Sequence, residues 1–165
     1  MTSTTADTTT SVPVRLDFDG HAPGFARALA QLDRAAIKEL DQVHFDPRLR
    51  ELVRLRASQL NGCAYCIDMH SIDALAVGET QRRVHALPAW RESGFFTERE
   101  CAALRFTESV TTMATGHVSA AEYDAVAAHF NPTEVAALLA LIVTINAWNA
   151  IGVATRTWQP GSYAR

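Results

Sequence analysis

ELVRLRASQLNGCAYCIDMH, residues 51–70, carries two of the chain's three cysteines as Cys63-x-x-Cys66, a histidine at His70, and a glutamate, Glu51, twelve positions before the first thiol. Asn61-Gly62 is a turn signal, so the stretch reads as helix, break, helix, with Cys63 in the first turn of the second helix. At roughly 100° per residue, Cys63, Cys66 and His70 fall within about 60° of one another on that helix. Ile67, Ala74 and Val77 share the face, so two thiols and an imidazole stand on an otherwise apolar strip. The positive end of a helix stabilises a thiolate in its first turn, and His70 is one turn from Cys66, within reach of its proton. Two thiols at this spacing can close a disulfide with little backbone movement. If the two helices pair antiparallel about Asn61-Gly62, Glu51 comes opposite His70, and a relay Glu51–His70–Cys66–Cys63 forms. The main apolar stripe of the first helix is Leu49, Leu52, Val53, Ala57 and Leu60. Glu51 lies away from it with Leu55 and Ser58, so it faces the thiols only if that second side is packed as well.

Outward from this core the chain reads as helices throughout. Residues 1–12 are expected to form a disordered Thr-rich tail, and 13–165 a single all-helical domain. The stretch 12–20 is expected to run extended across the body. From Pro23, the residues Phe25, Leu29, Leu32, Ala36, Ile37, Leu40 and Val43 recur at helical steps. Asp46-Pro47 is an N-cap followed by proline at the first helical position, opening the helix that bears Glu51. Gly78 suits the position just past the end of the CxxC helix. Thr80 caps a short helix ahead of Pro88. Thr97 with Glu100 and Ser119 with Glu122 read as capping boxes, the first opening a helix that ends near Gly116. Asn131-Pro132 opens the last long helix. No alternating β-branched run appears, and the fold class is all-α.

Residues 135–154, VAALLALIVTINAWNAIGVA, reach the length of a membrane span, but Thr144, Asn146, Asn149 and Gly152 interrupt them. They read instead as a helix largely buried in the core or between subunits, with Asn146 and Asn149 hydrogen-bonded across an oligomer interface. Net charge is −3 with no basic cluster, which argues against a nucleic-acid partner. Three cysteines do not make a disulfide framework, and no export signal is read at the start, so a reducing cytoplasm is expected.

Each candidate residue also has a plainer reading. The two cysteines can serve as small apolar residues, His70 as a satisfied core histidine, and Glu51 as a helix carboxylate paired with Arg54. Asp73, one turn beyond His70, either orients the imidazole or is an exposed carboxylate. Cys63, Cys66, His70 and Glu51 also have the composition of a metal site, but adjacent turns of one helix rarely aim three ligands tetrahedrally and no second Cys/His pair follows; no metal and no cofactor are expected. His44, His85, His117 and His129 carry no spacing signal. Cys101 stands near Glu98 and Glu100, which raise a thiol's pKa, and reads as structural.

The pattern Glu51-x11-Cys63-x2-Cys66-x3-His70, with Asn61-Gly62 before the first thiol, resembles the core of alkylhydroperoxidase D-like proteins in the carboxymuconolactone decarboxylase superfamily. Ile145-Asn146-Ala147-Trp148-Asn149 resembles a second segment of that group, and the likeness runs over residues 48–156. The resemblance implies an all-helical fold, homo-oligomers (dimers, trimers or hexamers) and reduction of peroxides by a dithiol. It implies that Cys66 attacks the peroxide, that Cys63 resolves the product as a disulfide, and that Glu51 and His70 move protons. An external dithiol, by the same likeness a lipoyl group on a carrier protein, restores the pair. One position departs. Alkylhydroperoxidase D proper has a second histidine just before the attacking cysteine, where this chain has Tyr65, and a phenol with pKa near ~10 does not relay protons near pH 7 as imidazole does. The alternatives are a carboxymuconolactone decarboxylase-type lyase, a branch that does not depend on the CxxC pair, and a non-catalytic oligomeric redox-sensing protein.

Overall fold

Proline and its neighbours mark the starts of the long helices, as the capping signals predict. The computed structural model describes residues 12–164. The expected Thr-rich tail lies, apart from Val12, outside them. The helices are α1 Phe18–His21, α2 Pro23–Gln42, α3 Pro47–Asn61, α4 Ala64–Ala76, α5 Gln81–Ala86, α6 Trp90–Ser93, α7 Glu98–Thr111, α8 Met113–Gly116, α9 Ala120–Ala127 and α10 Pro132–Thr155, with no strand among the described residues. Asp46 accepts the Arg48 N–H ahead of α3. Thr97 and Glu100 close a reciprocal box on α7, and Asn131 and Glu134 do the same on α10. Ser119 caps only one way. It accepts the Glu122 N–H, while the Glu122 carboxylate turns toward Arg105 at 3.9 Å. The helix expected to reach Gly116 breaks at Thr112 and resumes as α8.

α3 is the central element, packed by α4, α7 and α10, with α2 lying on α10. Leu49 and Val53 of α3 enter a core with Leu40, Phe106, Leu138 and Ile142. Leu52 and Leu55 enter a second core with Ala74, Val84, Leu87, Trp90 and Leu104. Burying each leucine contributes roughly 1.5–3 kcal/mol. Because both sides of α3 are packed, its second side is interior too. Leu55 and Ser58 are completely buried and Glu51 is nearly so.

By length and composition α10 is long and apolar enough to cross a membrane. Here one of its sides lies against α2, α3 and α7, with Leu138, Leu141, Ile142 and Ile145 buried. The opposite side is open: Leu139, Val143 and Val153 are exposed, so the helix is less buried than its composition suggests. Its asparagines find partners within the chain rather than across an interface. Asn61 Nδ2 donates to Oδ1 of both Asn146 (2.8 Å) and Asn149 (2.9 Å), and Asn149 Nδ2 donates to Ser58 Oγ at 3.0 Å. The turn residue Asn61 thus pins the end of α3 to α10, a contact 85 residues away that no local pattern signals. Past α10 the N-terminal segment returns. The N–H groups of Arg15 and Leu16 both donate to the Thr155 carbonyl, at 2.8 and 3.2 Å, and the extended run expected over 12–20 is cut short by α1, which begins at Phe18 where Asp17 caps it.

Candidate active site

Gly62 ends α3 at φ +70°, a left-handed conformation that costs glycine little, and reverses the chain toward α4. Cys63 follows as the N-cap of α4, one step ahead of the first-turn position expected for it, and its Sγ accepts the Cys66 N–H at 3.4 Å. Both thiols therefore stand at the positive end of α4. They are joined as a disulfide, with Cα atoms 5.3 Å apart.

The reversal lays α4 back along α3 and brings Glu51 opposite His70. His70 Nδ1 donates to Glu51 Oε2 at 2.9 Å, and Arg54 Nη1 donates to Glu51 Oε1 at 2.7 Å. Arg54 Nη2 lies 3.8 Å from Asp33 on α2. The pairing with Arg54 and the pairing with His70, alternatives in the sequence, coexist on the two oxygens of one carboxylate. Glu51 is 7% exposed and His70 4%. Burial alone pushes the Glu51 carboxyl up, but the His70 hydrogen bond and the Arg54 charge outweigh it and hold the group below its ordinary value. An ionised carboxylate only accepts, so the Nδ1 proton is held toward Glu51 and, in the neutral ring, Nε2 carries the lone pair. That Nε2 atom is buried and meets no hydrogen-bond partner among the described residues.

Cys66 and His70 open on a cavity of about 580 Å³, walled by Tyr65, Met69, Ile145, Trp148 and Trp158, with Arg27, Asp33, Arg54 and Asp73 also on its lining. Its lid comes from beyond α10. Trp158 meets Trp148 edge-on at 5.4 Å and Tyr65 at a tilt at 5.9 Å, and its Nε1 donates to Asp19 at 2.9 Å. Gly161 N–H donates to Asp68 at 2.7 Å and the Tyr163 hydroxyl donates to Asp73 at 2.9 Å, strapping the C-terminal segment across α4. Trp158, Asp19 and Tyr163 carried no signal in the sequence reading, since each enters from a segment with no periodicity of its own. Glu51 holds the imidazole Nδ1, while the Asp73 carboxylate accepts from Tyr163 and also brings an oxygen within 4.8 Å of the Glu51 and His70 ligand atoms.

Tyr65, at the departing position, is pushed above its ordinary pKa by burial and by Asp68 and Asp73, so it stays a phenol at neutral pH. Cys101 is raised by burial and by Glu100, and its Sγ lies 3.7 Å from the Phe96 carbonyl, away from the pair. Glu51, His70 and Asp73 each bring a potential metal-ligand atom within 4.8 Å of the others. Both Glu51 oxygens are already engaged by Arg54 and His70, so ligation would cost those bonds. The arrangement as it stands is a cysteine pair beside a buried, carboxylate-oriented imidazole.

The sequence pattern of the Carboxymuconolactone decarboxylase family matches residues 23–109. YdfG, an uncharacterised protein of Bacillus subtilis (strain 168), is 42% identical over 105 residues, covering 64% of this chain and 71% of YdfG. A crystal structure from Agrobacterium tumefaciens, of a protein of unknown function suggested to be the antioxidant defence protein AhpD, superposes with a TM-score of 0.83 at 30% identity, over 90% of this chain and 99% of that one. The debrominase Bmp8 shares the fold, with a TM-score of 0.73 at 23% identity over 84% of this chain and 73% of its own. The all-α architecture, the matched residues and these neighbours together make the chain an AhpD-like member of the carboxymuconolactone decarboxylase superfamily.

Proposed function

We propose that this protein is a dithiol peroxidase that reduces organic peroxides through Cys66 and Cys63. The observation that carries the reading is that Cys66 and His70 line one cavity, with the buried His70 Nε2 unpartnered among the described residues and Cys63 within disulfide reach. In the reduced protein His70 Nε2 takes the Cys66 proton, while Glu51 holds the ring and stabilises the imidazolium. The Cys66 thiolate attacks one peroxide oxygen. The S–O bond forms, the O–O bond breaks, and the departing alkoxide takes the proton from His70, leaving an alcohol and a sulfenic acid. The Cys63 thiolate then attacks the Cys66 sulfur and expels hydroxide, which leaves as water once protonated, giving the disulfide. An external dithiol returns two electrons and two protons. A cavity of about 580 Å³ far exceeds the needs of hydrogen peroxide and suits a substrate with an apolar body.

The protein is proposed to work in the cytoplasm as a homo-oligomer, with no nucleic-acid or membrane partner. The exposed side of α10, with Leu139, Val143 and Val153, supports an oligomer. Turnover decides between enzyme and sensor. The expected result is continuous consumption of cumene hydroperoxide by the reduced protein with dihydrolipoamide in excess. A single stoichiometric oxidation, with no turnover, would replace the peroxidase by a redox sensor.

A further inference from the structure

The two cysteines of the pair line different cavities. Cys66 lines the large one with His70, whereas Cys63 lines a second cavity of about 310 Å³ at the α4 N-terminus, with Gly62 and Ala64. Tyr65 and Trp158 belong to both linings and so form the partition. Electrostatically the two differ. Asp19, Asp33 and Asp73 line the first together with Arg27 and Arg54, so carboxylates outnumber guanidiniums there, but no carboxylate lines the second among the described residues, where Arg15 and Arg156 are the charged groups. Arg15 Nη1 lies 3.4 Å from the carbonyls of Val153 and Ala154, and neither guanidinium forms an ion pair among the described residues. Gly152 keeps the floor open: a Cβ there would stand 3.0 Å from Cys63 Sγ and 3.5 Å from the Trp158 ring.

From this geometry we infer that the second cavity is the reductant's entrance: an aliphatic dithiol bearing a carboxylate enters it, attacks Cys63, and is held by Arg15 and Arg156. The inference rests on the redox reading of the pair but not on the identity of the oxidant. One thiolate of the reductant attacks Cys63 Sγ, forming a mixed disulfide. The Sγ–Sγ bond breaks and its electron pair leaves on Cys66, which is protonated from the His70 side. The reductant's second thiolate then attacks its own sulfur in the mixed disulfide and releases Cys63. The protein disulfide gains two electrons and two protons, and the reductant leaves as a cyclic disulfide. Oxidising substrate and reductant thus approach from opposite sides of the partition, so an occupied substrate cavity does not block reduction.

The test starts from protein already oxidised to the Cys63–Cys66 disulfide and uses no peroxide, so a failed peroxidase assay leaves it interpretable. Dihydrolipoate and dihydrolipoamide, alike in their thiols and different in charge, are compared as reductants by the rate of thiol appearance. At low ionic strength dihydrolipoate is expected to react about threefold or more faster, the advantage shrinking in high salt. In Arg156→Ala and Arg15→Ala the ratio should fall toward one, the neutral dithiol serving as the reference within each variant. Acid quenching during reduction by 2-mercaptoethanol, followed by peptide mass spectrometry, should find the mixed disulfide on Cys63. Equal rates for the two dithiols, a ratio untouched by both substitutions, or a mixed disulfide on Cys66 would each overturn the assignment.

Discussion

Replacing Glu51 by glutamine keeps the side chain's volume and removes only its charge and one acceptor. The carboxylate accepts from two donors at once, His70 Nδ1 at 2.9 Å and Arg54 Nη1 at 2.7 Å, in a buried site. An amide has one oxygen. If it faces Arg54, its NH₂ faces His70, which then must accept at Nδ1 and carry its proton on Nε2, the wrong tautomer for a base toward Cys66. If it faces His70, two donors confront each other at Arg54. One charge-assisted hydrogen bond is lost either way, about 1.5–3 kcal/mol, which for a chain of this size lowers Tm by about 3–12 °C. The larger effect falls on the reaction, because general-base help contributes typically ~10²–10⁴-fold. Stopped-flow tryptophan fluorescence of pre-reduced protein mixed with cumene hydroperoxide, reporting through Trp148 and Trp158 on the cavity wall, should show oxidation slowed by about 100-fold. The pH dependence of stability adds a second readout. Glu51 is depressed below its ordinary 4.5 in the folded protein. Its contribution is therefore complete above that value and is lost as pH falls through the folded pKa. The stability gap between wild type and Glu51→Gln should be constant above about pH 4.5 and close on acidification. An oxidation rate within twofold of wild type, alongside a lowered Tm, would refute the proton-relay role and leave Glu51 as a structural ion pair.

The remaining predictions address the thiols, the polar seam and the assembly. Cys63→Ser should react once with peroxide and leave a trappable sulfenic acid on Cys66, because His70 is one turn from Cys66, whereas Cys66→Ser should leave Cys63 nearly inert. Mass spectrometry placing the sulfenic acid on Cys63 in the Cys66→Ser protein would reverse the roles. Asn149→Leu removes the hydrogen bonds to Asn61 and Ser58 and should destabilise by about 2 kcal/mol, seen as a Tm lowered by about 4–8 °C; an unchanged Tm would show that the seam contributes little. Light scattering at micromolar concentration should find an oligomer, and Val143→Glu, at a position 50% exposed, should weaken it. A monomeric wild type would remove that proposal.

What residues 51–70 determine by themselves is local. Spacing along one helix places Cys63, Cys66 and His70 on a common face because 3.6 residues per turn is a property of the backbone, independent of what surrounds it. Capping chemistry is local as well: Asp46, Thr97 and Asn131 each satisfy the N–H groups of the turn they precede, so helix starts follow from neighbouring letters. Where a cap depends on a reply from another element the local pattern misleads, as at Glu122, whose carboxylate is drawn toward Arg105 of α7 instead of its own N-cap. Glu51 could not be assigned a face from α3 alone, because the apolar stripe of that helix leaves it on the far side with Leu55 and Ser58. The second core, built by α4 through α7, turned the other side of α3 inward and buried a charge that needed both Arg54 and His70 to remain ionised. Asn61 and Asn149, 88 positions apart, meet only because α3 and α10 pack. Trp158 reaches Tyr65 only because the chain after α10 folds back over α4. The spacing of the cysteine pair is written in the sequence, but the placing of Cys66 and Cys63 on the linings of two cavities depends on long-range packing that no local spacing encodes.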